Sequence, residues 1–213
     1  MQTKEDFEIG ETWSRICEIT LCNYINMEKR LSYRQKISEI VLIYYSIFLI
    51  IYSITPNYFP IYNSTLAQYF SVVFSIVLLA FSLVNGNAHY VRRISKVTDS
   101  INSLKTLKRE IPKGDLKEFR EKYNEITDST ELRSDIDFFR TVKKLCKEYG
   151  VKWYCNVDRI VLTNEYDYTI GKLKSYLIDI NPHMTQFKII LMYFMDFFLI
   201  LLPILSFILC WVY

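Results

Sequence analysis

The stretch LAQYFSVVFSIVLLAFSLV, Leu66–Val84, decides the fold. It contains no charged side chain and no proline. The hydrocarbon core of a bilayer is about 30 Å thick and takes about 20 helical residues to cross. Leu66–Val84 reaches that length, and a helix that is apolar on every side belongs in a membrane. Two further runs, one on each side of it, read the same way. Ile37–Ile54 carries only Glu39, near its start. Phe187–Tyr213 carries Lys188 at its head, Asp196 in its first half and Pro203 near its middle. A cleaved signal peptide does not fit the first run, because Lys4, Arg15, Lys29 and Arg30 precede it and no small-residue cleavage site follows it. The expected class is an all-α membrane protein: a transmembrane hairpin, a third C-terminal transmembrane helix and a small cytosolic helical bundle. The boundaries read as a cytosolic amphipathic lead-in helix over 1–36, the hairpin over 37–84, a cytosolic helical region over 85–186 and the last span over 187–213.

Orientation follows from the short connections. Arg30, Arg34 and Lys36 precede the first span, and Arg92, Arg93 and Lys96 follow the second. The connection between these spans, Thr55–Thr65, has no charge. The positive-inside rule then places the N-terminus and residues 85–186 in the cytoplasm, and the C-terminus outside the inner (cell) membrane. Arg30, Arg34, Lys36, Arg92 and Arg93 are expected at the cytosolic membrane interface, where anionic headgroups attract them. Tyr52, Tyr58, Tyr62 and Tyr69 suit the outer interface.

Composition limits the remaining possibilities. A chain of 213 residues with three spans has room for one membrane unit and one small extramembrane region. A net charge of +3 gives no basis for nucleic-acid binding. Cys17, Cys22, Cys146, Cys155 and Cys210 show no zinc or redox spacing and read as reduced thiols.

The polar segments carry helical periodicity. Glu11–Gln35 is an amphipathic helix with Trp13, Ile16, Thr20, Met27 and Leu31 near one face. It either lies on the inner leaflet or packs on the other cytosolic helices. Ala88–Ile111 reads as a helix continuing out of the second span, with Gly86 as a kink and Pro112-Lys113-Gly114 as its stop. Asp115 caps a helix ending near Thr127. Asp128-Ser129-Thr130-Glu131 has the spacing of a capping box opening a helix that carries Leu132, Ile136, Phe139 and Val142, closed by Gly150. Val151–Val157 and Arg159–Leu162 read as strand or loop, and Ile170–Ile180 as a short helix stopped before Asn181-Pro182.

No catalytic constellation is present: no Gly-rich phosphate loop, no paired-Cys zinc site and no nucleophile motif. No cofactor is expected. Two features of the spans stand out instead. An ionised Asp196 in hydrocarbon costs about 3 kcal/mol, so it should face protein or water: it is a candidate pore-facing or helix-contact residue, or else it snorkels toward the headgroups near Lys188 or sits protonated against a neighbour's hydroxyl. Ala67, Ser71, Ser75 and Ser82 form a small-residue stripe on one face of the second span, suited to helix packing or to lining a pore. Three spans cannot enclose a useful aqueous pore alone, so transport would require a homo-oligomer.

The order of elements resembles one family. EKRLSYRQKISEIVLIYYSIFLIIYSI, a basic lead-in to the first span, is followed by QYFSVVFSIVLLAFSLVNGNAHYVRRISKV and then by EKYNEITDSTELRSDIDFF. Over about residues 15–212 this resembles the SLATT proteins, two-span effector domains of prokaryotic conflict systems. The span after NPHMTQFKII is similar to the subset with an extra C-terminal helix. The resemblance implies a non-catalytic effector of antiviral defence that forms pores or disrupts the inner membrane, with a nucleotide-sensing or other defence-system protein as partner. The alternative is a membrane-anchored scaffold or receptor that recruits a soluble partner through its cytosolic helices.

Overall fold

The computed structural model describes residues 4–59, 62, 64–110, 116–148, 150, 152–156, 159–163, 176–178 and 181–212. Three of its helices are long and apolar enough to cross a membrane. The chain is an all-α membrane protein in its spans and charged helices, with one small antiparallel sheet added.

The elements run α1 (Lys4–Tyr58), α2 (Ser64–Ala88), α3 (Tyr90–Glu110), α4 (Leu116–Asp128), α5 (Asp135–Glu148), β1 (Lys152–Asn156), β2 (Arg159–Thr163), β3 (Tyr176–Ile178) and α6 (Pro182–Val212). They fall into two compact units. A charged unit takes Met1–Leu31 and Arg92–Ile189; a span unit takes Ser32–Val91 and Ile190–Tyr213.

In the charged unit the first part of α1 packs on the polar helices. Cys17 of α1, Leu107 of α3 and Phe119 of α4 form a buried cluster with Trp13, Tyr123 and Ile126 around it. Trp13 meets both Phe119 and Tyr123 edge-on at 5.6 Å. Of the two places open to the amphipathic lead-in, this face is therefore taken by α3 and α4. Burial holds the Cys17 thiol neutral, up to about 11, even though Lys108 acts to lower it.

Several local expectations need correcting. Gly86 lies inside α2 with open space around it, and the break falls at His89, whose φ is +47°. A left-handed residue just past a helix end is a common C-terminal stop, and His tolerates it better than a branched side chain. The second capping error concerns α5. Asp128-Ser129-Thr130-Glu131 opens no helix; α5 begins at Asp135, and its box is Ser134 with Asp137. Asp137 Oδ2 accepts from the Ser134 N–H at 3.1 Å and from its hydroxyl at 2.8 Å. Glu131 is drawn instead to Arg93, and Leu132, expected on the helix, is 94% exposed. Gly150 has a φ of +66°, the left-handed residue expected to close α5.

The sheet order is β1-β2-β3, with Cys155 opposite Ile160 and Val161 opposite Leu177. Tyr176–Ile178 is thus strand where a helix was expected. The rest of Ile170–Ile180, the stop at Pro112-Lys113-Gly114 and the Asp115 cap lie outside the described residues. Asn181-Pro182 does begin the next helix: the Asn181 side chain accepts from the Met184 N–H at 3.0 Å and Pro182 fills the first helical position.

In the span unit the core is aromatic. Val41, Tyr45 and Tyr52 of α1, Tyr62, Ala67 and Phe74 of α2 and its approach, and Cys210 of α6 are buried together. Buried positions of α6 in this unit are Met192, Asp196, Pro203, Ser206 and Cys210, at spacings of four, seven, three and four that keep one seam inward. The outward faces are apolar too. Ile43, Ile47 and Ile50 of α1 and Val72, Ile76, Leu79 and Leu83 of α2 are exposed, as lipid or other apolar contacts require.

Candidate functional site

Two buried carboxylates organise the two units. In the charged unit, Asp137 has no exposed surface. Arg30 of α1 grips it with Nε at 2.9 and 3.2 Å and Nη2 at 3.0 Å. One helical turn earlier Asn26 donates to the Thr141 hydroxyl at 2.9 Å, and Thr141 is fully buried. Asn26 and Arg30 on α1 thus face Asp137 and Thr141 on α5, each pair four residues apart on its own helix. The bidentate fork is the strong form of such a pair, and full compensation is what lets a carboxylate stay buried.

In the span unit, Asp196 is 6% exposed. The Tyr33 hydroxyl donates to it at 3.0 Å, and Arg34 Nη1 approaches at 3.9 Å. Both partners come from α1, just before the first apolar run. A neighbouring helix thus brings polar groups to Asp196.

Two more tyrosines of α1 serve α6 deeper in the membrane. Pro203 has no N–H, so the Leu199 carbonyl four residues back loses its helical donor. The Tyr45 hydroxyl supplies a replacement at 3.0 Å. Tyr52 reaches the Pro203 carbonyl at 3.1 Å and the Ser206 hydroxyl at 2.6 Å. In hydrocarbon a freed backbone group must find such a partner within the protein.

The small-residue stripe divides. Ala67 is buried in the core, Ser71 is half-buried, and Ser75 and Ser82 face outward. The Ser75 hydroxyl bonds the Ser71 carbonyl at 2.8 Å, so it is satisfied within its own helix. The basic residues divide as well. Arg30 turns inward to Asp137, Arg34 lies near Asp196, and Arg93 pairs with Glu131 at 2.9 Å. Arg92 and Lys36 are exposed.

Sequence reasoning passed over Asp137, Asn26, Thr141, Tyr33 and Tyr45, and it assigned Tyr52 to the outer interface, whereas its side chain is buried in the span core. Two signals were available. Ser134 and Asp137 have capping-box spacing, and a proline inside a span announces an orphan carbonyl four residues earlier. Among the described residues no group of His, Cys, Asp and Glu could hold a metal ion.

No curated protein and no solved structure matches the chain. A family model does, over residues 11–212, and its description is SMODS and SLOG-associating 2TM effector domain family 5. The description counts two spans, while the matched range here takes in α1, α2 and also α6. Since the match covers nearly the whole chain, from the charged first part of α1 to the end of the third span, the protein belongs to the SLATT family of membrane effector domains, in its family 5.

Proposed function

We propose that the protein is a non-catalytic effector of prokaryotic antiviral defence that oligomerises in the inner membrane and permeabilises it on a cytosolic signal. Family membership supplies the effector role in conflict systems. The observation that carries the rest is the filled interior of the span unit. Among the described residues, Tyr45, Tyr52 and Phe74 fill the space among the spans of one copy. This filling supports a conducting path formed between copies, with Ser75 and Ser82 on the outward face of α2 as polar groups for its wall. The N-terminus and residues 85–186 face the cytoplasm in this reading, with Arg92 and Lys36 near the inner headgroups.

The test is membrane potential in cells expressing the protein, followed with a potential-sensitive dye as the defence response is triggered. Rapid depolarisation is expected, with Ser75→Leu and Ser82→Leu together slowing it. Full potential in cells that nevertheless arrest would exclude permeabilisation. One stoichiometric soluble partner without toxicity on overexpression would favour a scaffold or receptor role.

A further inference from the structure

We propose that the Arg30–Asp137 pair is a releasable latch, the contact that opens to free α5 from α1 when the protein is activated. The proposal rests on the effector reading above and assigns its regulation to named groups.

The α1–α5 contact around this pair is polar where it could have been apolar. Asn26 and Arg30 meet Thr141 and Asp137 with hydrogen bonds of 2.9 Å on each side. A buried ion pair adds little net stability over apolar side chains of the same size, but it loses much when one partner is withdrawn. Such a contact is a weak permanent glue and a good two-state one. It is favourable when every partner is in place, and favourable again when both charges are back in water.

The latch also has a mechanical consequence. Asp137 is the acceptor of the α5 capping box, taking both the N–H and the hydroxyl of Ser134. Asp137 thus serves two contacts at once, the local cap of α5 and the docking of α5 on Arg30, and release from Arg30 breaks only the docking. The other ion pair nearby does not share these properties. Arg93 and Glu131 are each more than a third exposed, and a pair in water is worth little either way.

Arg30 lies one turn before Tyr33 and Arg34, which hold Asp196 of α6. Neighbouring turns of one helix thus carry a carboxylate contact from each unit.

The experiment uses the full chain in vesicles of phosphatidylethanolamine and phosphatidylglycerol, with amide hydrogen exchange and dye release measured on the same samples. Asp137→Asn keeps the size and one cap acceptor while removing the charge. Arg30→Gln removes the other charge. Asn26→Cys with Thr141→Cys places thiols where two side chains already touch, and oxidation then locks α5 to α1. Each single variant should raise exchange over Asp135–Glu148 at least tenfold, leave α2 and α6 protected, and release dye without a signal. The oxidised cysteine pair should suppress dye release, and reduction should restore it. Unchanged exchange in α5 of Asp137→Asn overturns the latch, as does dye release from the locked protein equal to that from the reduced one. If the single variants lose protection in α2 and α6 as well, they have unfolded, and the cysteine pair alone decides on the same criterion. If α5 opens and locks as described while no form releases dye, the latch stands and permeabilisation falls.

Discussion

Asp137 and Asp196 are both buried carboxylates held by residues of α1, and the two units hold them differently. Asp137 has no exposed surface, a bidentate guanidinium at 2.9 to 3.2 Å and two donors from Ser134. Asp196 keeps 6% exposure, one tyrosine hydroxyl at 3.0 Å and a guanidinium no closer than 3.9 Å. The first is a fully compensated ion pair that fixes the register of two helices. The second is a hydrogen-bonded carboxylate with a loose counter-ion. Strong, all-or-none contacts suit a region that must be in one of two states.

The largest effect expected from this contrast is at Arg30. Arg30→Ala strands a buried charge on Asp137 and should destabilise the charged unit by about 3–5 kcal/mol, read as accelerated proteolysis of residues 92–148. A loss below about 1 kcal/mol would mean that Asp137 finds water and is not sealed. Tyr33→Phe should cost the span unit less, about 1–2 kcal/mol, because Arg34 remains to turn toward Asp196. An effect equal to that of Arg30→Ala would erase the distinction between the two sites. Tyr45→Phe removes the donor to the Leu199 carbonyl and should cost about 0.6–1.7 kcal/mol, measured as reduced thermal stability in detergent. Pairing it with Pro203→Ala restores the helical N–H and should recover most of that loss; no recovery would detach Tyr45 from the proline. Arg93→Ala at the exposed pair should change stability by about 0.2–1 kcal/mol at most.

The smallest effect is one of pH. The Cys17 thiol is pushed up to about 11 by burial among Trp13, Leu107 and Phe119. A thiol raised in the folded state keeps its full contribution to stability below its ordinary value near 9, and loses it as pH rises through 11. Between pH 7 and 9 maleimide labelling of Cys17 should therefore stay slow in the folded protein. Fast labelling that tracks pH in that window would show this part of α1 to be undocked.

How much was legible depended on whether the deciding contact was local. The spans were, because Leu66–Val84 is apolar on every face and no long-range contact is needed to read it. Gly150 was legible for the same reason, as a left-handed position after a periodic helix. The start of α5 was not. Two segments, Asp128–Glu131 and Ser134–Asp137, have the same capping spacing, and what separates them is distant: Glu131 goes to Arg93, and Asp137 receives Arg30. Asp196 could be singled out from sequence, since any acid in a span is costly, but its donors lie on a helix more than a hundred residues earlier in the chain. Pro203 was equally visible, and the need it creates at Leu199 follows from backbone chemistry alone; only the identity of Tyr45 required the fold. The basic residues were misleading as a group. Their count is the basis of the expected orientation, yet Arg30 and Arg93 pair with carboxylates of their own unit.

The central claim is that copies of this protein together open the bilayer while a single copy cannot. Dye release from vesicles, measured against the number of protein copies per vesicle, tests it most directly. The account predicts no release at one copy per vesicle and a steep rise once several are present, with Asp137→Asn shifting the rise to conditions without a signal. Release proportional to copy number from the first copy onward, or none at any density under any trigger, would contradict it.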